Sequence, residues 1–287
     1  MDDTFRRFYF DAPVEWVDTG SERLPCRRFG SGPPLLMVHG FPLSGFTWRK
    51  LLPELARQRT CWTLDLPGLG GSEWTNATEF SFDGQGRTLK RLADRLGLER
   101  YAVIAQDTGG TFARYLALED PARVEKLILL NTEMPGHRPP WIPLYQFLMR
   151  IPGTLAPFAL LMKSRAYLRS AMGFGGCFAD LDLIDGDFRE EFVEGLRLSS
   201  RRMSGMSVYL RGCKWAAVDA LAHLHARLTM PVALIWGAED PTFPLERARA
   251  MVGQFPDARL VAVPGARLLV HEERPQEVAR AVLEFLA

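Results

Sequence analysis

Short, unbroken apolar runs alternate along this chain with longer stretches of helical periodicity. That alternation constrains the fold more than any other feature. The runs are "PPLLMVHG" (33–40), "TCWTLDLPGLGGS" (60–72), "YAVIAQDTGG" (101–110), "VEKLILLNTE" (124–133), "MPVALIWGAED" (230–240) and "ARLVAVPG" (258–265). Each is too short and too well bounded by turn residues to be a long helix. A strand that is apolar on both faces belongs in a sheet covered on both sides. Strands separated by helices join such a sheet through right-handed crossovers, which makes it mostly parallel. The expected class is α/β, a mostly parallel sheet flanked by helices.

The pattern breaks after Glu133. "MPGHRPPWIPLYQFLMRIPG" is rich in proline, and it is followed by "FALLMKSRAYLRSAMGF", "REEFVEGLRLSSRRMSGMSVYLRGC" and "AVDALAHLHARL". These segments are helical in spacing and rich in Met and aromatic residues. The expected organisation is a core of residues 1–133 and 229–287, with a helical cap of residues 134–228 inserted between two strands. Methionine is an adaptable side chain, and a Met-rich roof suits a pocket for a small apolar molecule.

Charge narrows the function classes. Lys plus Arg number 35 and Asp plus Glu 34 in 287 residues, a formal net charge of +1. A near-neutral chain without a basic block favours neither nucleic acid nor a polybasic membrane contact. Cys26, Cys61, Cys177 and Cys213 are scattered and form no C-x-x-C pair, so they read as free thiols in a reducing compartment. "MDDTFRRFYF" lacks the apolar region of a secretory signal, and no run reaches membrane-spanning length. The expectation is a cytoplasmic protein acting on a small apolar substrate, with no nucleic-acid or membrane partner and no metal or organic cofactor.

Four ordered motifs carry the chemistry. In "AQDTGG" a strand runs into a helix through a tight turn, the setting of a nucleophile elbow, and the nucleophile position holds Asp107. Helix capping alone would not need the two glycines behind it. A carboxylate there can attack a saturated electrophilic carbon and form an alkyl ester. "HGFPLSGFTWRKLLPELA" follows the first confident strand. In this architecture its Phe41 N–H and the Thr108 N–H form an oxyanion hole. "LDLPGLGGSEW" is a turn-rich loop. "WGAEDPTFP" places Asp240 at the end of a strand, where a carboxylate can orient an imidazole.

These motifs together resemble the α/β-hydrolase fold, and within it the haloalkane dehalogenase and epoxide hydrolase group with an Asp nucleophile. The resemblance spans nearly all of the chain outside the cap. It implies Asp107 as nucleophile, Asp240 as triad acid and a histidine in the turn after Val263. Asn131, rather than Glu133, matches the other position where such enzymes carry a carboxylate. In "PGARLLVHEERP", aligned on "EERP", the histidine position is occupied by Leu268, and His271 follows three residues later.

The resemblance has other departures. Dehalogenases of this group usually place Trp after the nucleophile to hold the halide; here that residue is Thr108. Many have Asn in the loop after His-Gly, where this chain has Phe41. The "HGFP" form is common in epoxide hydrolases, which use two cap tyrosines as proton donors. Tyr145, Tyr167 and Tyr209 are available, with Tyr209 the best placed, although for any single one of them packing into the cap is the favoured reading. Trp141, His137 and His271 are further pocket candidates, and His137 reads also as a solvated loop histidine. His39 is expected to anchor the oxyanion loop, Trp48 to lie in the core, and His223 and His225 to lie on the surface.

Three readings of Leu268 follow. A working histidine has been replaced, so that ester formation survives and ester hydrolysis fails. Alternatively His271 serves as base through a shifted loop, although its spacing turns it away. Or the chain is a non-hydrolytic pseudoenzyme or ligand-binding protein on the same scaffold.

Overall fold

The computed structural model describes residues 3–287. Its centre is a nine-stranded sheet of order β1-β2-β4-β3-β6-β7-β8-β9, with β5 beside β2. The strands are β1 (Glu15–Asp18), β2 (Glu22–Phe29), β3 (Pro34–Val38), β4 (Thr60–Leu64), β5 (Glu73–Trp74), β6 (Tyr101–Gln106), β7 (Val124–Leu130), β8 (Val232–Gly237) and β9 (Ala258–Val263). From β4 to β9 every neighbouring pair is parallel. These are the six apolar runs. β1, β2 and β5 pair antiparallel at the other edge and have no counterpart in the sequence reading. β2, "ERLPCRRF", alternates buried and exposed residues and contains a proline, so it lacks the continuous apolar signal of the others.

The helices are α1 (Asp3–Phe10), α2 (Leu52–Leu55), α3 (Phe82–Arg95), α4 (Thr108–Glu119), α5 (Trp141–Leu148), α6 (Leu155–Leu161), α7 (Arg165–Leu168), α8 (Gly195–Arg197), α9 (Ser200–Gly212), α10 (Trp215–Leu224), α11 (Leu245–Val252), α12 (Val270–Glu273) and α13 (Pro275–Leu286). Strand side chains divide between two cores, as a period of two requires. Leu35, Met37, Ile104 and Ile235 pack on one face with Leu52 and Leu55 of α2 and Val278 and Val282 of α13. Leu36, Val38, Val103 and Leu234 pack on the other with Leu89 of α3, Phe112 of α4 and Met251 of α11.

Among the described residues, 131–231 hold helices and turns and no strand. This segment includes α5 to α10 and a π-helical stretch, Arg189–Glu194. Helix α9 fits tightly against the core. A Cβ on Gly205 would stand 2.2 Å from the Gly68 carbonyl oxygen, and one on Gly212 would stand 2.3 Å from the Phe80 carbonyl oxygen. Backbone meets backbone at both points, so neither glycine can take a side chain without displacing the helix.

Candidate active site

The loops at the carboxyl ends of β3, β6, β7, β8 and β9 converge, the usual place for a site in an open parallel sheet. Asp107 follows β6 directly and has φ 52° and ψ −133°, a backbone strained for a residue with a Cβ. Its own N–H donates to the Leu130 and Asn131 carbonyls at 3.1 and 3.0 Å. Its carbonyl accepts from Gly110 N–H at 2.8 Å and from the Thr132 hydroxyl at 2.7 Å. The turn also requires small neighbours. A Cβ on Gly109 would lie 2.3 Å from the His39 carbonyl oxygen, and one on Gly40 would lie 2.5 Å from Asp107 Cβ.

The Asp107 carboxylate is aimed at the loop after β3. Phe41 N–H donates to Asp107 Oδ2 at 2.9 Å, and the nearby Thr108 N–H favours the ionised form of the carboxylate. Of the two amides expected to form an oxyanion hole, that of Phe41 is hydrogen-bonded to the carboxylate. Burial raises the Asp107 pKa well above the usual carboxylate range, with the nearby Glu133 adding to the shift and the two N–H donors opposing it. His39 holds the loop from behind: its Nδ1–H donates to the Gly40 carbonyl at 2.8 Å and its Nε2 accepts Leu66 N–H at 2.9 Å.

Asp107 opens onto a cavity of about 260 Å3. Phe41, Thr108, Leu268, Trp141, Tyr145 and Tyr209 line it with Asp107, together with Glu133, Cys177 and the side chains of several methionines. Tyr209 is buried. Its hydroxyl lies 2.6 Å from Thr108 Oγ1, and its ring stacks on Phe41 with centroids 5.5 Å apart. Burial raises the Tyr209 pKa well above that of a free phenol, so the hydroxyl stays protonated. Tyr145 and Tyr167 form a second pair, hydroxyl to hydroxyl at 2.7 Å. Trp141 lies at the mouth and is 38% exposed.

Asp240 is buried but does not line the cavity; Pro241, Thr242 and Phe243 stand there instead. Its Oδ2 accepts from Asn131 Nδ2 at 2.7 Å and its Oδ1 from Thr242 N–H at 2.7 Å. Burial pushes its pKa up to about 7, opposed first by the bond from Asn131. Asn131, at φ 27°, also accepts Gly237 N–H at 2.8 Å, which ties the ends of β7 and β8 together.

Two of the pocket candidates are not in the pocket. His137 does not line the cavity: its Nε2–H donates to the Thr242 carbonyl at 2.7 Å and its ring meets Phe243 edge-on, so it supports the wall from behind. His271 is fully buried on another side of the loop. Its Nε2 lies 2.7 Å from Thr47 Oγ1, and its ring is 4.9 Å from Trp48, the fully buried core tryptophan. Burial lowers its pKa to about 4. The adjacent Glu272, paired with Arg49 at 2.6 Å and Lys50 at 3.0 Å, fixes this stretch in place. The turn before it is pinned as well. Glu273 accepts Arg267 N–H at 2.7 Å and Ala179 N–H at 2.7 Å. A loop shift that brings His271 to the cavity would break all of these. Among the described residues, no histidine lines the cavity.

The sequence reading set Glu133 aside as an acid and did not single out Arg114. Glu133 reaches the cavity wall, its Oε2 accepting from Thr111 Oγ1 at 2.7 Å, and burial raises its pKa. Beneath the elbow lies Arg114, fully buried in α4. It donates to the Gly110 carbonyl at 3.1 Å, the Glu133 carbonyl at 2.8 Å and Thr111 Oγ1 at 2.8 Å. Its last partner corrects an expectation. His225 is buried rather than on the surface, because its Nε2 accepts from Arg114 at 3.2 Å, its Nδ1–H donates to Gln254 at 2.8 Å and its ring stacks on Phe255. The only sequence trace of this network is a lone Arg within the apolar face of "TFARYLALED".

Comparison with known proteins places this geometry among others. A sequence profile described as the alpha/beta hydrolase fold matches residues 33–275. The chain is 31% identical over 274 residues to a soluble epoxide hydrolase of Corynebacterium sp. (strain C12), covering 90% of this chain and 91% of that one. It is 26% identical over 271 residues to haloalkane dehalogenase 2 of Mycobacterium bovis, covering 94% and 93%. Among solved structures, a ligand-free epoxide hydrolase superposes with a TM-score of 0.78 at 26% identity, covering 95% of this chain and 98% of the other.

Proposed function

Since the chain belongs to the alpha/beta hydrolase fold family and is related to haloalkane dehalogenases and epoxide hydrolases, we propose that it takes small apolar epoxides into its cavity and opens them by attack of Asp107. The observation that carries this reading is the Asp107 carboxylate, held by the Phe41 amide and facing an apolar cavity beside the Tyr209 hydroxyl. A carboxylate oxygen of ionised Asp107 forms a bond to a ring carbon, and the carbon–oxygen bond of the strained ring breaks. The departing oxygen takes the Tyr209 proton, and Tyr209 recovers a proton from solvent. Thr108 Oγ1 can support that transfer by donating to Tyr209 Oη. The product is a hydroxyalkyl ester on Asp107. The segment 134–228 acts in this reading as the cap, contributing Tyr145, Tyr209 and Trp141 to the cavity.

The epoxide is favoured over a haloalkane by Thr108. A leaving halide needs a donor beside the nucleophile, and the residue after Asp107 supplies a hydroxyl already engaged with Tyr209. Trp141 is exposed at the mouth.

Ester hydrolysis requires a base for the attacking water. Leu268 stands on the cavity wall where the resemblance implies that base, so the ester persists and the chain is a single-turnover or much impaired hydrolase. A second reading, ligand binding without chemistry, draws on Asp240: both its oxygens are satisfied by Asn131 and Thr242 with no imidazole to orient.

Intact-mass measurement after incubation with styrene oxide and with a bromoalkane tests the proposal. Addition of the whole epoxide mass, absent in Asp107→Ala, is the expected result. A gain only from the bromoalkane, equal to alkyl less one hydrogen, would move the substrate class to halides. Bound but unaltered ligand throughout would leave the binding-protein reading.

A further inference from the structure

Whole-chain charge averages over a strong local asymmetry. Between Met134 and Ala179 there is no aspartate or glutamate, while Arg138, Arg150, Lys163, Arg165 and Arg169 all fall there. Arg138, Arg165 and Arg169 are bridged to Asp219, Asp185 and Asp182, which lie outside this stretch. Arg150 and Lys163 are exposed, and their charged side-chain groups have no hydrogen-bond or ion-pair partner among the described residues.

The same stretch presents apolar side chains to solvent. Helices α5 and α6 both pack on α9, and their outer faces carry Leu144, Phe147, Leu160 and Leu161, with Ile151 in the turn between. Phe147 is 59% exposed and Leu160 64%. Large apolar side chains grouped on two neighbouring helices, with cations and no acids, differ from the scattered apolar residues of an ordinary surface. The patch also adjoins the cavity. Trp141 and Met172 are exposed and at the same time line the cavity, so its mouth opens on this side.

We propose that this face docks on an anionic phospholipid bilayer. Arg150 and Lys163 lie over the lipid phosphates, Phe147 and Leu160 enter the interfacial layer, and the cavity mouth faces the lipid. Apolar side chains combined with unpaired cations are the chemistry of peripheral attachment to such a surface. No helix among the described residues is long and apolar enough to cross a membrane, so the contact is with the surface. Charge argues against a second copy of the chain as the occupant. A two-fold contact of this face with itself brings Arg150 and Lys163 toward the same cations of the other copy, with no acid in the stretch to offset them. For an apolar substrate the arrangement has a use: a molecule dissolved in the bilayer reaches the mouth without crossing water. That last step rests on the epoxide reading, whereas the docking itself does not.

Co-sedimentation with vesicles tests the docking with no substrate present. The full chain is expected to bind mixed phosphatidylglycerol–phosphatidylcholine vesicles and not phosphatidylcholine alone. Arg150→Gln and Lys163→Gln should each weaken binding about fivefold. Phe147→Ser with Leu160→Ser should weaken it further, with circular dichroism unchanged because both residues face solvent. Equal binding to both vesicle types, or none to either, overturns the proposal. A dimer that Phe147→Ser dissolves, with no vesicle binding, assigns the face to a second copy instead.

Discussion

The backbone N–H of Phe41 donates to Asp107 Oδ2 at 2.9 Å, so the amide expected to receive the oxyanion of a later intermediate already holds the nucleophile. This bond and the nearby Thr108 N–H oppose a burial effect that raises the Asp107 pKa. The folded state binds that proton more tightly than an unfolded chain, whose aspartate titrates near about 4. Ionising Asp107 therefore costs the fold stability as pH rises above that value. Asp107→Asn keeps an acceptor for Phe41 N–H and cannot ionise. Its melting temperature should exceed that of the parent at mildly alkaline pH, and the difference should shrink toward acid. An advantage independent of pH would contradict this account.

Glu133 sets part of that cost. Its charge is the second cause of the Asp107 shift, after burial. Glu133→Gln keeps an acceptor for Thr111 and removes the charge, so the Asp107 pKa should fall. The rate of ester formation, followed by mass against pH, should keep its shape and move to lower pH. An unmoved profile would mean that the two carboxyl groups do not interact.

Leu268→His places an imidazole on the cavity wall beside Asp107. If base loss is the reason an ester persists, this change should convert a single burst of product into continuous turnover, seen as diol released beyond one equivalent per chain. A general base is worth about a hundredfold or more in such a step. Adding Asp240→Ala to the restored chain should remove most of that gain.

Tyr209→Phe keeps the stack on Phe41 and deletes the proton donor. Epoxide opening should slow by about a hundredfold or more, while alkylation by a bromoalkane, which needs no proton, should change little. Equal slowing of both would make Tyr209 a packing residue.

Much of this arrangement was legible before the structure. The six parallel strands announced themselves as apolar runs; β3, β4, β6, β7 and β8 are largely buried on both faces and need few polar positions, whereas β9, at the sheet edge, keeps an apolar sequence with one buried residue in its span. The family relationship was legible too, since "QDTGG" and "WGAEDPTFP" are local and ordered. β1 and β2 were not, because an edge with one wet face spreads its signal over alternating residues and tolerates Pro25. Arg114 was missed, Glu133 was set aside in favour of Asn131 and His225 was expected on the surface, for a different reason. Each is ordinary in its own segment, and they become a network only when α4 brings Arg114 beneath the elbow and the end of the helical segment lays His225 against it. His137 and His271 were placed in the pocket on proximity in sequence. Partners distant in the chain, Thr242 and Thr47, hold their rings elsewhere.

The contact between Gly205 and Gly68 leaves no room for even a methyl group. Helix α9 is thereby clamped to the loop after β4, and Tyr209 travels with it. A roof seated that closely would have to break this contact to lift as a plate. Admission falls to the few side chains at the rim, Trp141 and Met172, whose rotations are local and fast. On the proposed reading, what enters the chamber is set by the width those rim side chains leave rather than by the hinge of a lid.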